Sequence, residues 1–100
     1  MVINLYQKTH AAVHPIRYKI LEYIADNPDS HISKIAKGLK MDRSTVSYHL
    51  GMLEKYDLVE SEYKILESPH SRGKAGRVYK VNEGEIKKVA NAVAKNLAEL

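Results

Sequence analysis

The segment ISKIAKGLKMDRSTVSYHLGMLEKYDLVE, residues 32–60, decides the fold, because it holds two helical patterns separated by a very short break. Apolar residues recur at helical spacing in its first part, at Ile32, Ile35, Ala36 and Leu39. Ser30 is the predicted N-cap of this helix, and Asp42 is the predicted N-cap of the next one. Two helices joined by about three residues predict a helix-turn-helix motif.

The second helix of this pair is predicted from about Arg43 to Tyr56, and its two sides differ in composition. At about 100° per residue, one side carries Val46, Leu50 and Leu53. The other side carries no acid and hardly any aliphatic residue, and consists of Ser44, Ser47, Tyr48, Gly51 and Lys55. Such a face suits the major groove of DNA, where hydroxyls and amides can reach base edges. The alternative is an ordinary amphipathic helix whose outer side meets only water.

Upstream of this motif, the sequence predicts a helix from about Pro15 to Asp26. Proline is favoured in a first helical turn, and an apolar stripe follows at Ile16, Ile20, Leu21 and Ile24. The turn-forming residues 27–29 end the helix. Residues 2–13 show a weaker helical pattern.

Downstream, two alternating segments predict an antiparallel hairpin, with strands over Leu58–Leu66 and Arg77–Val81. The loop between them reads SPHSRGKAG, residues 68–76, and is basic and glycine-bearing. We expect Arg72, Lys74 and Arg77 to hold the phosphate backbone or enter the minor groove, as the wing of a winged helix does. The alternative is a mobile hairpin in solvent.

A last helix is predicted to begin at Asn82, which has capping-box spacing to Glu85. A narrow apolar stripe runs along it, at Ile86, Val89, Ala90, Val93, Leu97 and Leu100. Its length predicts a dimer interface formed by Ile86, Val89, Val93 and Leu97. The alternative is that this helix packs back on its own domain.

The bulk composition fits a small DNA-binding protein. The chain has 100 residues, a net charge of +4 and a pI of about 9.3, which predict one domain over residues 1–100 and suit a polyanionic partner. There is no cysteine, no apolar run of membrane-spanning length and no secretory signal pattern, so we expect a cytoplasmic protein. The expected fold class is mainly α with a small β-hairpin.

Neither a metal site nor a catalytic site is predicted. His10 and His14 are four residues apart, but Pro15 interrupts the helix there and no further ligand lies nearby in sequence. His49 adjoins the apolar side of its helix and is expected to pack at that edge. No nucleophile elbow, phosphate-binding glycine loop or carboxylate pair is present, so we expect no cofactor and no enzymatic activity.

Three segments resemble ArsR-like winged helix-turn-helix regulators. HPIRYKILEYI, residues 14–24, is similar to the opening core helix of that family, and residues 32–60 are similar to its helix-turn-helix. GRVYKV, residues 76–81, resembles the strand that returns from the wing. The resemblance implies a winged-helix core over residues 14–82 and a dimer formed by the terminal helices, with 83–100 as the C-terminal one. Two departures are the absence of the metal-sensing cysteines and Asp57 where the family usually has glycine.

These patterns together predict a homodimeric transcription regulator that binds double-stranded DNA at an inverted-repeat operator. The residues expected to contact DNA from the helix over 43–56 are Arg43, Ser44, Thr45, Ser47 and Tyr48. Two alternatives remain open, namely a winged-helix module that docks a protein and a regulator that senses an effector.

Overall fold

The computed structural model describes residues 5–65 and 75–98, which form five helices and three strands. In chain order these are α1 (Leu5–Ala12), α2 (Pro15–Asp26), β1 (Ser30–His31), α3 (Ile32–Leu39), α4 (Arg43–Lys55), β2 (Val59–Ile65), β3 (Ala75–Val81) and α5 (Glu83–Ala98). The mainly helical class with a small hairpin is therefore confirmed. The predicted bounds of α2 are those observed, α4 ends one residue early, and β3 begins two residues early.

The sheet has three strands in the order β1-β3-β2, all antiparallel, and β1 was not predicted from the sequence. Because Ser30 pairs with Tyr79 in this sheet, its backbone belongs to a strand and it is not the N-cap of α3. The N-cap is His31, whose Nδ1 accepts a hydrogen bond from the Lys34 N–H at 3.1 Å. The buried Ser30 hydroxyl donates instead to the Asn27 carbonyl at 2.6 Å.

One apolar core lies between the helices and the sheet. Its fully buried side chains come from every layer of the molecule, and include Ile20, Ile24, Ile35, Val46, Leu50, Leu53, Leu58 and Val59. The helix-turn-helix is therefore fixed to the hairpin by shared burial, at roughly 25 cal/mol per Å² of apolar surface removed from water.

Two left-handed residues close the ends of the paired helices. Lys40 (φ 55°) follows α3, and the Met41 N–H then donates to the Ala36 carbonyl at 2.9 Å. Asp57 (φ 62°) follows α4, and the Leu58 N–H donates to the Leu53 carbonyl at 2.9 Å. Both are Schellman-type ends, which usually favour glycine. Asp57 thus adopts the left-handed conformation that glycine adopts most readily.

Helix α1 packs against α5 and ties the two ends of the chain together. Lys8 Nζ lies 2.5 Å from Glu85 Oε2, and this ion pair lowers the pKa of Glu85 below its ordinary value, with Lys88 adding to the effect. The capping box at α5 is half formed. The Glu85 N–H donates to Asn82 Oδ1 at 3.4 Å, but the Asn82 N–H donates to the Leu58 carbonyl instead of to Glu85.

Candidate nucleic-acid interface

The outer side of α4 is exposed along its whole length. Ser44, Ser47, Gly51 and Lys55 are exposed, and Tyr48 has 60% of its surface accessible. A Cβ atom built on Gly51 would meet no heavy atom within 4 Å. This side therefore presents hydroxyls, one aromatic ring and a bare stretch of backbone.

The inner side of α4 is the best-buried helix surface in the described part of the chain. Val46, Leu50 and Leu53 have 0%, 1% and 0% of their surfaces accessible. The separation of apolar and polar sides that the sequence predicted is therefore present in the fold. Thr45 is half-buried, whereas the other predicted contact residues of this helix are exposed.

The beginning of α4 is open to a ligand. Asp42 has extended backbone angles as an N-cap, but its side chain makes no capping hydrogen bond. The first turn holds Arg43 and contains no acid. The N–H groups of a first helical turn have no partner within the helix, and with the helix dipole they favour an anion such as phosphate.

Basic residues of α3 and of the turn after it precede this end of α4 in the chain. Lys34, Lys37 and Lys40 are all exposed. Lys40 lies in the turn between α3 and α4, and Arg43 is the first residue of α4. Such clustering raises the local concentration of a polyanion.

Arg17 of α2 and His49 of α4 form a hydrogen-bonded contact beneath α4, the Arg17–His49 anchor. This contact was not predicted from the sequence. Arg17 Nε donates to Nδ1 of His49 at 3.2 Å, and Arg17 Nη1 donates to the carbonyl of Ala11 at 3.2 Å. The His14 ring lies 4.9 Å from the His49 ring, centroid to centroid. His49 is 7% exposed, which confirms that it packs at the inner edge of its helix. Burial, then the Arg17 cation and His14, lower the pKa of His49 below its ordinary value.

Arg77, predicted both to begin the second strand and to contact DNA with the wing, lies within β3, opposite Tyr63 of β2. Its guanidinium carbon is 5.3 Å from the centroid of the Tyr63 ring, and Nη1 is 3.9 Å from Glu54 Oε1 on α4. A hydrogen bond with Tyr79 raises the pKa of Arg77, so the group stays cationic. Arg77 therefore joins the hairpin to α4. The other two predicted wing residues, Arg72 and Lys74, lie outside the described residues.

Glu54 marks the edge between the outer side of α4 and the sheet. Both of its carboxylate oxygens accept from the Ser61 hydroxyl, at 3.1 and 3.3 Å. With Arg77 on the same carboxylate, the negative charge is turned towards β2 and β3. The outer side of the helix is left without an acid of its own.

The apolar stripe of α5 is divided between its own domain and the surface. Val89 is 6% exposed and belongs to the core, so this predicted interface residue has little surface left for a partner. Ile86 and Val93 are half-buried against the same core, while Leu97 is 62% exposed. Packing of the stripe on its own domain is therefore confirmed for Val89 and in part for Ile86 and Val93, whereas the dimer interface stays a prediction.

An apolar groove of about 730 Å³ runs between α2 and α5. Leu21, Val81, Ile86 and Val89 are among its lining residues. Two exposed apolar side chains also line it, Val13 with 70% and Tyr18 with 61% of their surfaces accessible. Apolar surface of this extent commonly marks a binding site for a partner or a ligand.

Residues 5–65 and 75–98 contain neither a metal-binding cluster nor a membrane-spanning helix. Within these ranges, no group of three or more histidine, cysteine or carboxylate residues could hold a metal ion. Nδ1 of His14 is occupied, since it accepts from the Ile16 N–H at 3.2 Å as the N-cap of α2. No helix of the described segments is both long and apolar enough to cross a membrane.

Residues 14–61 match the family model described as "Bacterial regulatory protein, arsR family". An uncharacterised HTH-type transcriptional regulator of Methanocaldococcus jannaschii is 37% identical over 98 residues, which cover 98% of this chain and 96% of that protein. A second HTH-type regulator of the same organism is 37% identical over 60 residues, which span 60% of this chain and only 15% of that longer protein.

Solved structures show the same fold. An ArsR-like transcriptional regulator from Rhodococcus sp. RHA1 superposes with a TM-score of 0.68 at 23% identity, covering 97% of this chain and 86% of that one. Streptococcus pneumoniae FabT in complex with DNA superposes with a TM-score of 0.52 at 16% identity, covering 95% of this chain and 68% of that one. The family and the full-length relative are transcription regulators and not enzymes. The chain therefore belongs to the HTH-type transcriptional regulators, has the winged-helix fold, and carries an arsR-family domain over residues 14–61.

Proposed function

We propose that this regulator binds double-stranded DNA sequence-specifically as a homodimer, with α4 in the major groove. The observation that carries the proposal is the contrast on α4, where an exposed side without a carboxylate lies opposite a fully buried apolar side. A helix that only faced water would gain nothing from excluding acids, whereas a helix against phosphates would. Arg43, Ser44, Ser47 and Tyr48 contact bases or phosphates in this arrangement, and the half-buried Thr45 contributes at the helix edge.

The hairpin supplies the flanking contacts. Arg77 is fixed beside α4 by Glu54 and Tyr63, so the hairpin and the helix can approach one duplex as a unit. We infer that Arg72 and Lys74 contact the backbone or the minor groove beyond it. Such contacts give affinity and register, while the groove face of α4 gives sequence preference.

A second copy of the chain is the partner we propose for the apolar surface around α5. Tyr18 and Val13 along the groove and Leu97 on α5 are exposed apolar side chains, and a two-fold axis can bury each against its counterpart region. Residues 14–82 then form the DNA-binding unit, and α1 and α5 form the dimer contact. Two copies of α4 would meet an inverted repeat whose half-sites are about one helical turn apart.

Selection of binding sites from a randomised duplex library, followed by gel shifts with competitor DNA, tests the DNA proposal. We expect an inverted-repeat consensus and a shifted band that weakens steeply between about 50 and 200 mM salt. A protein-docking module would give no salt-sensitive band. This outcome would reject DNA binding and favour the protein-interaction alternative.

Sedimentation tests the dimer separately. We expect the wild-type chain to sediment as a dimer and Leu97→Glu to sediment as a monomer. Asn96→Glu is a matched control, because Asn96 is an exposed neighbour without an apolar side chain. A wild-type monomer at all concentrations would reject the homodimer.

Effector sensing remains a second candidate because of the apolar groove between α2 and α5. Its volume lies within the range of small-molecule sites. A thermal-shift screen of metabolites tests this candidate, and we expect any hit to lose its effect when Ala90 is enlarged, as in Ala90→Leu. As for location, we propose the cytoplasm, where such a regulator meets the genome.

A further inference from the structure

We propose that Arg17 positions α4 through His49, and that protonation of His49 releases this anchor and weakens specific DNA binding in acid. The proposal concerns a residue pair outside the DNA-contacting side. It rests on the proposed DNA-binding function for its functional consequence, but the anchor itself can be tested without DNA.

The guanidinium of Arg17 joins three parts of the molecule. It extends from α2, donates from Nε to His49 on α4, and donates from Nη1 to the last turn of α1 at Ala11. The position of α4 relative to α1 and α2 is therefore held by directional bonds as well as by packing. An arginine can do this because its donors form a rigid fork, which a lysine lacks.

His49 transmits this position to the outer side of α4. Its ring meets the ring of Tyr48 edge-on, with centroids 5.1 Å apart and planes at 72°. Tyr48 is exposed and is one of the residues we propose to contact DNA. A change at the buried imidazole is therefore adjacent to the DNA-contacting side chain.

The hydrogen bond from Arg17 fixes the protonation state of His49. Because Nδ1 accepts this bond, it carries no proton, and the neutral ring has its proton on Nε2. Adding a proton to Nδ1 turns an acceptor into a donor opposite another donor. The bond from Arg17 is then lost, and two cations face each other at the same place.

The groups around His49 do not compensate that charge. From α2 it faces Arg17, from the N-cap position before α2 it faces His14, and on α4 its neighbour is the phenol ring of Tyr48. Among residues 5–65 and 75–98, no carboxylate forms an ion pair with His49. Burial and the Arg17 cation accordingly lower the pKa of His49.

Because the pKa of His49 is lowered, DNA binding should weaken in acid and not in base. Above the ordinary histidine pKa of about 6.5 the ring is neutral, and Nδ1 accepts the hydrogen bond from Arg17. As the pH falls through the lowered pKa of His49 in the folded protein, the ring takes up a proton and the hydrogen bond from Arg17 is lost. One coupled proton lowers the specific affinity by at most about tenfold per pH unit below that pKa.

The anchor is first tested by NMR on the free protein between pH 7.5 and 4.5. We expect the Arg17 Nε–H resonance to shift with the same midpoint as the His49 imidazole. Independent movement of the two resonances, or an Nδ1-protonated His49 at pH 7.5, would contradict the anchor whatever the protein binds.

The consequence is tested by the ratio of specific to non-specific DNA affinity across the same pH range, with the selected duplex and a scrambled duplex. His49→Asn places an amide oxygen where Nδ1 stands, so we expect it to bind as wild type at pH 7.5 and to lose the acid-dependent fall. His10→Asn is the matched control, because it removes an exposed histidine and should leave the wild-type profile unchanged.

Arg17→Lys provides a second variant in case His49→Asn folds poorly. It keeps the positive charge but loses the fork, so we expect the specific affinity at pH 7.5 to fall several-fold with a flatter pH profile. If wild type binds at pH 7.5 and shares its pH profile with His49→Asn, the inference is wrong. If wild type shows no specific band at pH 7.5, the proposed function fails instead, and the anchor is decided by the NMR titration alone.

Discussion

The two sides of α4 belong to one helix of thirteen residues, yet they have opposite surroundings. On the inner side, Val46, Leu50 and Leu53 are closed to water and contact the core. On the outer side, Ser47, Tyr48 and Gly51 are exposed and contribute little to packing. Substitutions on the inner side should therefore change the free energy of unfolding, while substitutions on the outer side should change DNA affinity and leave the fold intact.

The largest expected effect is that of Leu50→Ala on the inner side. Leu50 is 1% exposed, and truncating a buried leucine costs about 2–5 kcal/mol in lost transfer energy and cavity formation. Urea unfolding at a fixed protein concentration measures it. Leu50→Met, which nearly conserves volume, should cost less than about 1.5 kcal/mol. A loss below about 1 kcal/mol for Leu50→Ala would show that this side does not carry the core.

The next largest effect is that of Tyr48→Ala on the outer side. It should change DNA affinity and leave the free energy of unfolding nearly unchanged. Because the side chain is 60% exposed, we expect the free energy of unfolding to change by less than about 0.5 kcal/mol. We expect specific DNA affinity to fall about 5- to 150-fold, as for loss of a base contact worth about 1–3 kcal/mol. Gel shifts with the selected duplex measure it.

Tyr48→Phe separates the hydroxyl of that residue from its ring. If the hydroxyl makes the contact, this variant should bind as weakly as Tyr48→Ala. If both variants bind like wild type, the assignment of the outer side to DNA is wrong.

The same contrast explains how much was predictable from the sequence. Helical periodicity predicted the inner and outer sides of α4, and Pro15 with the turn residues 27–29 predicted the bounds of α2, because all of these are local signals. Alternation of residues predicted the hairpin in the same local way, whereas the turn at Asp57 was indicated only by the family resemblance. The DNA contacts themselves remain predictions.

What the sequence did not show depends on contacts between distant residues. Ser30 is of a residue type that is common at N-caps, but its pairing with Tyr79, far along the chain, places it in a strand. The N-cap is therefore the next residue, His31. Arg17 and His49 are 32 residues apart, and nothing local in either segment indicates that they meet. The contacts of Arg77 with Glu54 and Tyr63 likewise join residues of three different elements.

Gly51→Ala should have a smaller effect, and it should change both the stability of the protein and its DNA affinity. Alanine is the better helix former by about 0.5–1 kcal/mol, and the added Cβ meets nothing within 4 Å, so stability should rise by that amount. In the complex the same methyl group would face the duplex, and we expect a several-fold loss of specific affinity. Thermal unfolding and gel shifts on the same preparation measure both. Higher stability with unchanged affinity would show that the backbone at Gly51 does not approach DNA closely.

The smallest expected effect is that of Glu54→Gln, which lies on the boundary between the two sides. The amide can still accept the Ser61 hydroxyl bond at about the same place, and the Arg77 ion pair at 3.9 Å is largely exposed, so stability should change by less than about 0.5 kcal/mol. Removing one negative charge about 10 Å from a phosphate in water is worth about 0.4 kcal/mol, or roughly twofold tighter DNA binding at low salt. Glu60→Gln is the control, because Glu60 points to the opposite face of β2 from Ser61. Equal gains from both variants would indicate only a net-charge effect, whereas a gain confined to Glu54→Gln would place the DNA beside this edge of α4.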